Sequence, residues 1–237
     1  MRRLLIAGLS VMLAACTAKS DQRTSIQDFV PPGWKVIQAD IGDLDKDGAN
    51  DTVLVIEQDN PVNRKQNDGM GERVLNLNPR HLIVLLKTPS GYHKAVEATH
   101  FLPSQNSADT PCLTDPMDYA GEDSIQIERG TLKISLQDWF SCGSWDSSNY
   151  EFKFRYDNGR FRLIGFDQST HMRNSGDATS YSTNFLTGKK KVVTENVFDP
   201  DVPIESNWER LAGHREFYLD ETNSKCQMDK KGHDWCK

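Results

Sequence analysis

Five pairs of short β-prone runs, each pair joined by a turn that contains glycine, most constrain the fold of this chain. The pairs begin near residues 34, 81, 124, 150 and 179; in the fourth, "YEFKFRY" and "RFRLIGF" meet at Asp157, Asn158 and Gly159. Such pairs are the signature of β-hairpins. No long stretch has the 3.6-residue periodicity of an amphipathic helix. The sequence therefore predicts a mainly β protein built from antiparallel hairpins.

Repeated hairpins without crossover helices must hide their sheet edges. A small β-propeller does this, and a barrel or a sandwich is the alternative closure. We predict a propeller-like domain over residues 33–196. Residues 197–237 differ in pattern and predict a short C-terminal appendage, stapled by a disulfide, with a short helix around Ile204 to Leu211.

The first residues have the pattern of an export leader. Two arginines precede an apolar run of about 12 residues, which is too short to span a bilayer and typical of a signal peptide. The "LAAC" that ends at Cys16 resembles the bacterial lipobox, so residues 1–15 are predicted to be removed and Cys16 to be acylated. An ordinary leader with an incidental cysteine is the alternative. Residues 16–32 form a polar tether, and Thr17 favours the outer membrane, facing the periplasm.

Charge and cysteine content narrow the partners further. The formal net charge is -6, which does not favour nucleic acid. With Cys16 lipidated, four cysteines remain in an oxidising compartment, and this even number indicates two disulfides. Zinc binding is the alternative interpretation. Three pairings are possible, and we favour those that join Cys112 to Cys142 and Cys226 to Cys236.

The stretch "DLDKDGAND" predicts a calcium loop. Aspartates alternate along it, a glycine follows the third one and permits a sharp turn, and hard oxygen ligands suit Ca²⁺. Leu54 replaces the glutamate that would end an EF-hand, so the loop should join two strands. The alternative is a solvated acidic hairpin tip. The predicted ligands are four carboxylates and one backbone carbonyl, from Asp43, Asp45, Asp47, Asp51 and Ala49.

This loop, within residues 34–57, resembles the calcium loops of FG-GAP and integrin-type propeller blades. In such blades, the ion stabilises the structure and performs no chemistry.

A second loop, "QDWFSCGSWDSSNY" at residues 137–150, combines aromatic residues with small flexible ones. An aromatic side chain flanked by Ser and Gly and tethered by Cys142 is suited to anchor a partner's cleft. We predict that Trp145 is exposed and that Trp139 lies in the core. The alternative is a connection whose tryptophans all fill the core.

The lipobox, the calcium loop and this second loop together resemble a group of propeller lipoproteins related to periplasmic lysozyme inhibitors, over residues 33–195. The resemblance implies an inhibitor or immunity protein that inserts a Ser-Gly loop into the cleft of a peptidoglycan hydrolase or lysozyme-like toxin. Ser141, Gly143, Ser144 and Tyr150 match that loop, and Trp145 joins them as the exposed aromatic.

Catalytic motifs are missing from the sequence. It contains no G-x-S-x-G, HExxH, P-loop or dinucleotide fingerprint, and its six histidines are dispersed. We therefore predict a binding protein and no enzyme. An envelope docking lipoprotein without inhibitory activity is the alternative, and a cell-wall hydrolase is a more distant one.

Overall fold

A computed structural model describes residues 22–118, 123–211 and 216–224. Two short 3-10 helices, Ile26–Phe29 and Pro61–Asn63, accompany the strands. The strands are β1 (Gln22–Arg23), β2 (Trp34–Gly42), β3 (Asp51–Gln58), β4 (Arg64–Gln66), β5 (Val74–Asn76), β6 (Arg80–Thr88), β7 (Gly91–Ala98), β8 (Ile125–Glu128), β9 (Thr131–Trp139), β10 (Asp146–Asp157), β11 (Arg160–Met172), β12 (Asp177–Asn184), β13 (Lys189–Asn196) and β14 (Glu205–Arg210).

Antiparallel pairing organises these strands into two large sheets and one small one. The first has five strands in the order β1-β7-β6-β3-β2, and the second is a seven-stranded meander in the order β14-β13-β12-β11-β10-β9-β8. Strands β4 and β5 form a separate two-stranded sheet. All five predicted hairpins are present, so the prediction of a mainly antiparallel β protein is confirmed.

The propeller arrangement is not seen in the described residues. A propeller needs similar, separate blades, whereas the first two hairpins share one open sheet and the last three share another. Pairing between successive hairpins explains the difference: β9 pairs with β10 over nine residue pairs, and β11 pairs with β12 over seven. Consecutive hairpins therefore merge into a meander.

The predicted helix around Ile204 to Leu211 is also wrong. Those residues contain β14, which pairs with β13 from Lys189↔Arg210 to Thr194↔Glu205. Pairing with a neighbouring strand satisfies the backbone and overrides a weak local helical pattern. Further along the chain, Phe217 and Leu219 are buried in the main core, so this part of the predicted appendage packs against the β body.

The main core lies between the two large sheets. Alternation along each strand directs one set of side chains into it. The five-stranded sheet contributes Val53, Val55, Leu82, Val84 and Leu86, and the seven-stranded sheet contributes Ile125, Leu132, Ile134, Leu136, Phe152, Phe154, Phe161, Leu163 and Phe166. The opposite face of β8–β13 is therefore the outer face of that sheet.

A second, smaller core covers the other side of the five-stranded sheet. Leu54 and Ile56 of β3 and Ile83 and Leu85 of β6 point into it, and Phe29 of the first 3-10 helix closes it. The predicted tether over residues 16–32 is therefore wrong for its described part, which packs on the five-stranded sheet. Strands β3 and β6 are thus buried on both faces. This explains why "TVLVIE" and "HLIVLL" are nearly continuous apolar runs and not alternating ones.

A buried ionic network joins the five-stranded sheet to the segment after Cys112. Arg80 donates from Nε to Glu57 Oε2 at 2.9 Å and, through both terminal nitrogens, to Asp115 at 2.6 and 2.7 Å. Burial alone would lower the pKa of Arg80, but the hydrogen bonds and charges of Asp115 and Glu57 outweigh burial and raise it. The guanidinium therefore stays charged and holds two carboxylates.

Candidate metal loop and partner-binding loop

The stretch "DLDKDGAND" at residues 43–51, which we call the acidic loop, connects β2 to β3, as predicted. Its backbone is tightly turned. Lys46 has a φ of 67° and Gly48 a φ of 89°, both in the left-handed region that glycine adopts freely. The chain reverses there within a few residues, which brings the start and the end of the loop together. Leu44 points the other way and is buried in the main core, so the loop is anchored from within.

Three of the four aspartates meet in this loop. Carboxylate oxygens of Asp43, Asp45 and Asp51 all lie within 4.8 Å of one another. Asp47 is not part of that group; its Oδ1 accepts a hydrogen bond from the backbone N–H of Ala49 at 2.7 Å. Of the four predicted carboxylate ligands, those at the first, third and ninth positions of the loop thus form a cluster.

Backbone amides hold the carboxylates of Asp43 and Asp51 in place. Asp43 accepts from the N–H groups of Lys46 at 2.7 Å and Gly48 at 3.1 Å. Asp51 is fully buried and accepts from Leu44 at 2.7 Å and from Lys87 of β6 at 2.8 Å. The metal ligands that this loop offers are hard carboxylate oxygens, which these hydrogen bonds hold in position at Asp43 and Asp51. Such a ligand set fits Ca²⁺.

Like charges at this range disfavour ionisation. Burial raises the pKa of Asp45, a hydrogen bond from the backbone of Asp47 opposes this, and the charges of Asp51, Asp47 and Asp43 add to the rise. The charges of Asp45 and Asp51 also add to the effect of burial in raising the pKa of Tyr156 on β10. The loop thus lies close enough to the seven-stranded sheet to affect its electrostatics.

Contacts with both sheets place the acidic loop at their junction. A Cβ added to Gly130, in the turn between β8 and β9, would lie 2.7 Å from Cε of Lys46. Nearby, Asp40 of β2 accepts a hydrogen bond from the N–H of Ile127 on β8. A cation in the loop would therefore reinforce the contact between the two sheets.

The second candidate site is the turn between β9 and β10, residues 140–145, which we call the partner loop. The disulfide between Cys112 and Cys142 is present, with Cα atoms 5.3 Å apart, so this predicted pairing is confirmed. It joins the partner loop to a segment 30 residues earlier in the chain. The tether should limit the loop's motion.

Arg173, just after β11, holds the same loop from the other side. Its Nη2 donates to the carbonyls of Phe140 at 3.1 Å and Ser144 at 2.6 Å, and its Nε donates to the carbonyl of Trp145 at 3.3 Å. Its guanidinium carbon also lies 4.2 Å from the ring centroid of Trp139. One side chain therefore fixes three carbonyls. Sequence analysis did not identify Arg173, because an arginine 28 residues from Trp145 belongs to no local motif of the loop.

The two tryptophans of this region differ in environment. Trp145 is 62% exposed, as predicted. The prediction that Trp139 lies in the core is wrong, because the alternation of β9 buries Leu132, Ile134 and Leu136 and directs residue 139 to the outer face. Trp139 is 36% exposed there and carries Arg173 on its ring. The exposed aromatic at the tip of the partner loop is thus Trp145.

The remaining predicted contact residues have internal roles. Ser141 Oγ donates to the carbonyl of Cys112 at 3.0 Å, Ser144 Oγ donates to Asp146, and Gly143 has a φ of 79° that suits the tight turn. Tyr150 is half-buried at the margin of the core, and its hydroxyl donates to Asp138 Oδ2 at 3.0 Å. These four residues shape and support the partner loop.

A cavity of about 530 Å³ lies beneath this region. Leu113, Phe140 and Leu136 form part of its apolar wall, and Asp138 and Tyr150 supply polar groups. Burial, together with the charge of Asp138, raises the pKa of Tyr150, so the phenol stays protonated and keeps donating to Asp138.

Several predicted features lie outside the described residues: the leader, the acylated Cys16, and the second predicted disulfide between Cys226 and Cys236. They stay predictions. None of the helices within residues 22–118, 123–211 and 216–224 has the length and apolar character needed to cross a bilayer.

Comparisons of the chain with protein families, with curated proteins and with solved structures gave no match.

Proposed function

We propose that this protein is a lipid-anchored periplasmic inhibitor that blocks a peptidoglycan hydrolase by inserting the partner loop into the enzyme's cleft. The observation that carries this proposal is Trp145, which is 62% exposed on a loop that a disulfide and Arg173 hold rigid. A rigid loop loses little conformational entropy on binding, and tryptophan is one of the residue types enriched at interface hot spots.

Electrostatics and position support the same proposal. The formal net charge of -6 favours association with a basic partner, and many cell-wall hydrolases are basic because their substrate is acidic. A lipid at Cys16 would hold the inhibitor at the outer membrane, facing the periplasm, where an incoming lysozyme-like toxin attacks the cell wall. This part of the proposal rests on the sequence pattern alone.

Replacing Trp145 tests the proposed contact. Because hot-spot tryptophans contribute about 2 kcal/mol or more, Trp145→Ala should raise the inhibition constant by about 30-fold. The measurement is the lysis of a cell-wall suspension that remains when the enzyme is titrated with each variant. Two enzymes are used: an invertebrate-type lysozyme, and the hydrolase whose gene lies nearest to the gene of this protein.

Trp208→Ala is the matched control, because Trp208 is equally exposed, at 63%, but lies on β14. It should inhibit as the unchanged protein does. Failure of the unchanged protein to inhibit either enzyme would overturn the proposal. Equal inhibition by Trp145→Ala would show that the partner loop is not the contact, and lysis by the protein itself would reveal a hydrolase instead.

The acidic loop is proposed to bind one Ca²⁺ through Asp43, Asp45 and Asp51, with Asp47 and the carbonyl of Ala49 as the further ligands that the spacing predicts. The ion would remove the repulsion among the clustered carboxylates. Since the loop touches both sheets, the gain would be in stability and not in chemistry.

The variant Asp45→Asn separates the effect of Ca²⁺ binding on stability from the effect of the side chain itself. Without Ca²⁺ the variant should be at least as stable as the unchanged protein, because one of three mutually repelling charges is gone. For a dissociation constant of about 0.1–1 mM, about 10 mM Ca²⁺ should stabilise the unchanged protein by about 1.4–2.7 kcal/mol and the variant by clearly less. Urea unfolding with chelator and with Ca²⁺ measures both values.

The control for this experiment is Asp68→Asn, which neutralises an exposed aspartate outside the acidic loop and should respond to Ca²⁺ as the unchanged protein does. An unchanged protein whose stability ignores Ca²⁺ would contradict the metal proposal.

A further inference from the structure

The outer face of the seven-stranded sheet carries two cross-strand rows of mainly polar side chains, in which Val193 is the apolar member. Directly paired residues of antiparallel strands place their side chains on the same face. The first row is Ser135, Glu151, Asp167, Ser182 and Lys191, and the second is Asn149, Ser169, Ser180 and Val193. The core-facing residues of β9, β10 and β11 are mainly apolar, so these rows form the face of the sheet that is turned away from the core.

These rows line an elongated cavity of about 430 Å³. It runs across β9 to β13, which at about 4.8 Å between neighbouring strands is a span of about 19 Å. Volumes of about 300–1,000 Å³ are typical of ligand sites. The shape suits a linear oligomer that lies across the strands.

The charged groups of this cavity offset one another. Lys153, directly beside it on β10, donates to Glu151 at 2.8 Å and to Asp167 at 2.5 Å. Together with Lys191, the local charge is balanced. The rest of the lining is mainly hydroxyl and amide, which recognise neutral polar ligands, so the cavity does not select for an anion or a cation.

One acceptor in the cavity is without a partner. Oδ1 of Asn149 is buried and receives no hydrogen bond within the described residues, while Nδ2 makes only a long contact of 3.5 Å to Ser169 Oγ. A buried acceptor without a donor is unfavourable by about 1–3 kcal/mol. Asn149 lines the cavity, so a rotation about χ2 that turns Oδ1 toward the cavity would let a ligand hydroxyl donate to that oxygen.

An aromatic ring extends the first row. Lys191 pairs with Trp208 of β14, so the indole lies on the same outer face, and it is 63% exposed. A flat exposed indole is a surface on which the apolar C–H face of a sugar ring packs. It adds an apolar platform to one end of a polar groove.

We infer that this groove binds a neutral oligosaccharide, with Asn149 and the row of serines donating to and accepting from its hydroxyls and Trp208 packing against a terminal sugar ring. The inference is independent of the partner loop and of its hydrolase. It rests on the balanced charge, the hydroxyl and amide lining, the unpartnered Asn149 and the indole at the end of the row.

Titration with neutral tetrasaccharides tests the inference. Chitotetraose and maltotetraose, each up to about 20 mM, are added to the ¹⁵N-labelled protein. At least one of the two sugars should shift the amide resonances of β10 to β13, and the shifts should reach a plateau as the sugar concentration rises. Trp208→Ala and Asn149→Ala should each weaken that binding by about tenfold or more, and both should fold, since Trp208 is exposed and Asn149 Oδ1 has no partner to lose.

Trp145→Ala is the matched control for the loss of an exposed indole and should bind sugar as the unchanged protein does. The two proposals thus fail separately: Trp145 governs hydrolase inhibition, and Trp208 governs sugar binding. No saturable shift with either sugar would overturn the inference, as would binding that Trp208→Ala and Asn149→Ala leave unchanged.

Discussion

The variant Asp51→Ala is expected to lose about 3–5 kcal/mol of unfolding free energy, even in the presence of a chelator. Asp51 is fully buried, and its two oxygens accept from the backbone N–H of Leu44 in its own loop and of Lys87 on β6. Alanine would leave both donors without that acceptor, and each unsatisfied buried donor is unfavourable by about 1–3 kcal/mol. Urea unfolding measures the loss directly.

Two further variants separate the causes of that loss. Asp51→Asn keeps one acceptor oxygen and should be intermediate. Asp47→Ala removes an exposed carboxylate that accepts only from Ala49 among the backbone groups of the loop, and should lose about 1 kcal/mol or less in chelator. If Asp51→Ala and the unchanged protein unfold at the same urea concentration in chelator, Asp51 serves the metal alone.

The position of this loop shows what the sequence could predict. The alternation of aspartates around Gly48 identified a turn between two strands, because ligand spacing and glycine conformation are both local properties. Hairpins were predictable for the same reason. The contact between Asp51 and Lys87 was not, because it depends on β6 pairing with β3 across 36 residues.

Sheet architecture shows the limit of the same reasoning. A hairpin pattern is equally compatible with separate blades and with a meander, since the difference lies in whether β9 also pairs with β10 and β11 with β12. The long strands β10 and β11, of 12 and 13 residues, pair with each other along their whole length, and their other edges pair with β9 and β12. The sequence predicted the runs but not their partners.

The partner loop is an intermediate case. The even number of cysteines predicted disulfides, and the favoured one of three possible pairings joined Cys112 to Cys142; the small residues around Trp145 predicted an exposed turn. Arg173 and Asp138 support that turn through hydrogen bonds to Ser144, Phe140 and Tyr150, and nothing in their local sequence marks them. Supporting residues of a loop are set by the tertiary fold and have no pattern of their own.

Arg80→Ala should be the second strongly destabilising change, with a loss of about 3–5 kcal/mol. The side chains of Arg80 and Glu57 are 3% and 4% exposed, and Arg80 also holds Asp115 with two hydrogen bonds. Removing one member of a buried ion pair leaves the other charge buried and uncompensated, and this strongly destabilises the folded state. Lys35 and Asn76 remain near Glu57 but do not replace a guanidinium between two carboxylates.

Arg64→Ala is the matched control, because Arg64 pairs with Asp59 at the surface, where the two side chains are 44% and 59% exposed. Exposed pairs contribute about 0–1 kcal/mol, so this variant should unfold nearly as the unchanged protein does.

A double variant tests whether the loss after Arg80→Ala comes from an uncompensated charge or from lost packing. In Glu57→Leu with Arg80→Met, neither buried charge remains, and Asp115 is partly exposed and can be hydrated. Since apolar replacement of a whole buried pair is often neutral or favourable, the double variant should be more stable than Arg80→Ala alone, as measured by urea unfolding. A double variant that loses the sum of the two single changes would show that the three side chains act as independent packing groups, and the account of a coupled ionic network would then be wrong.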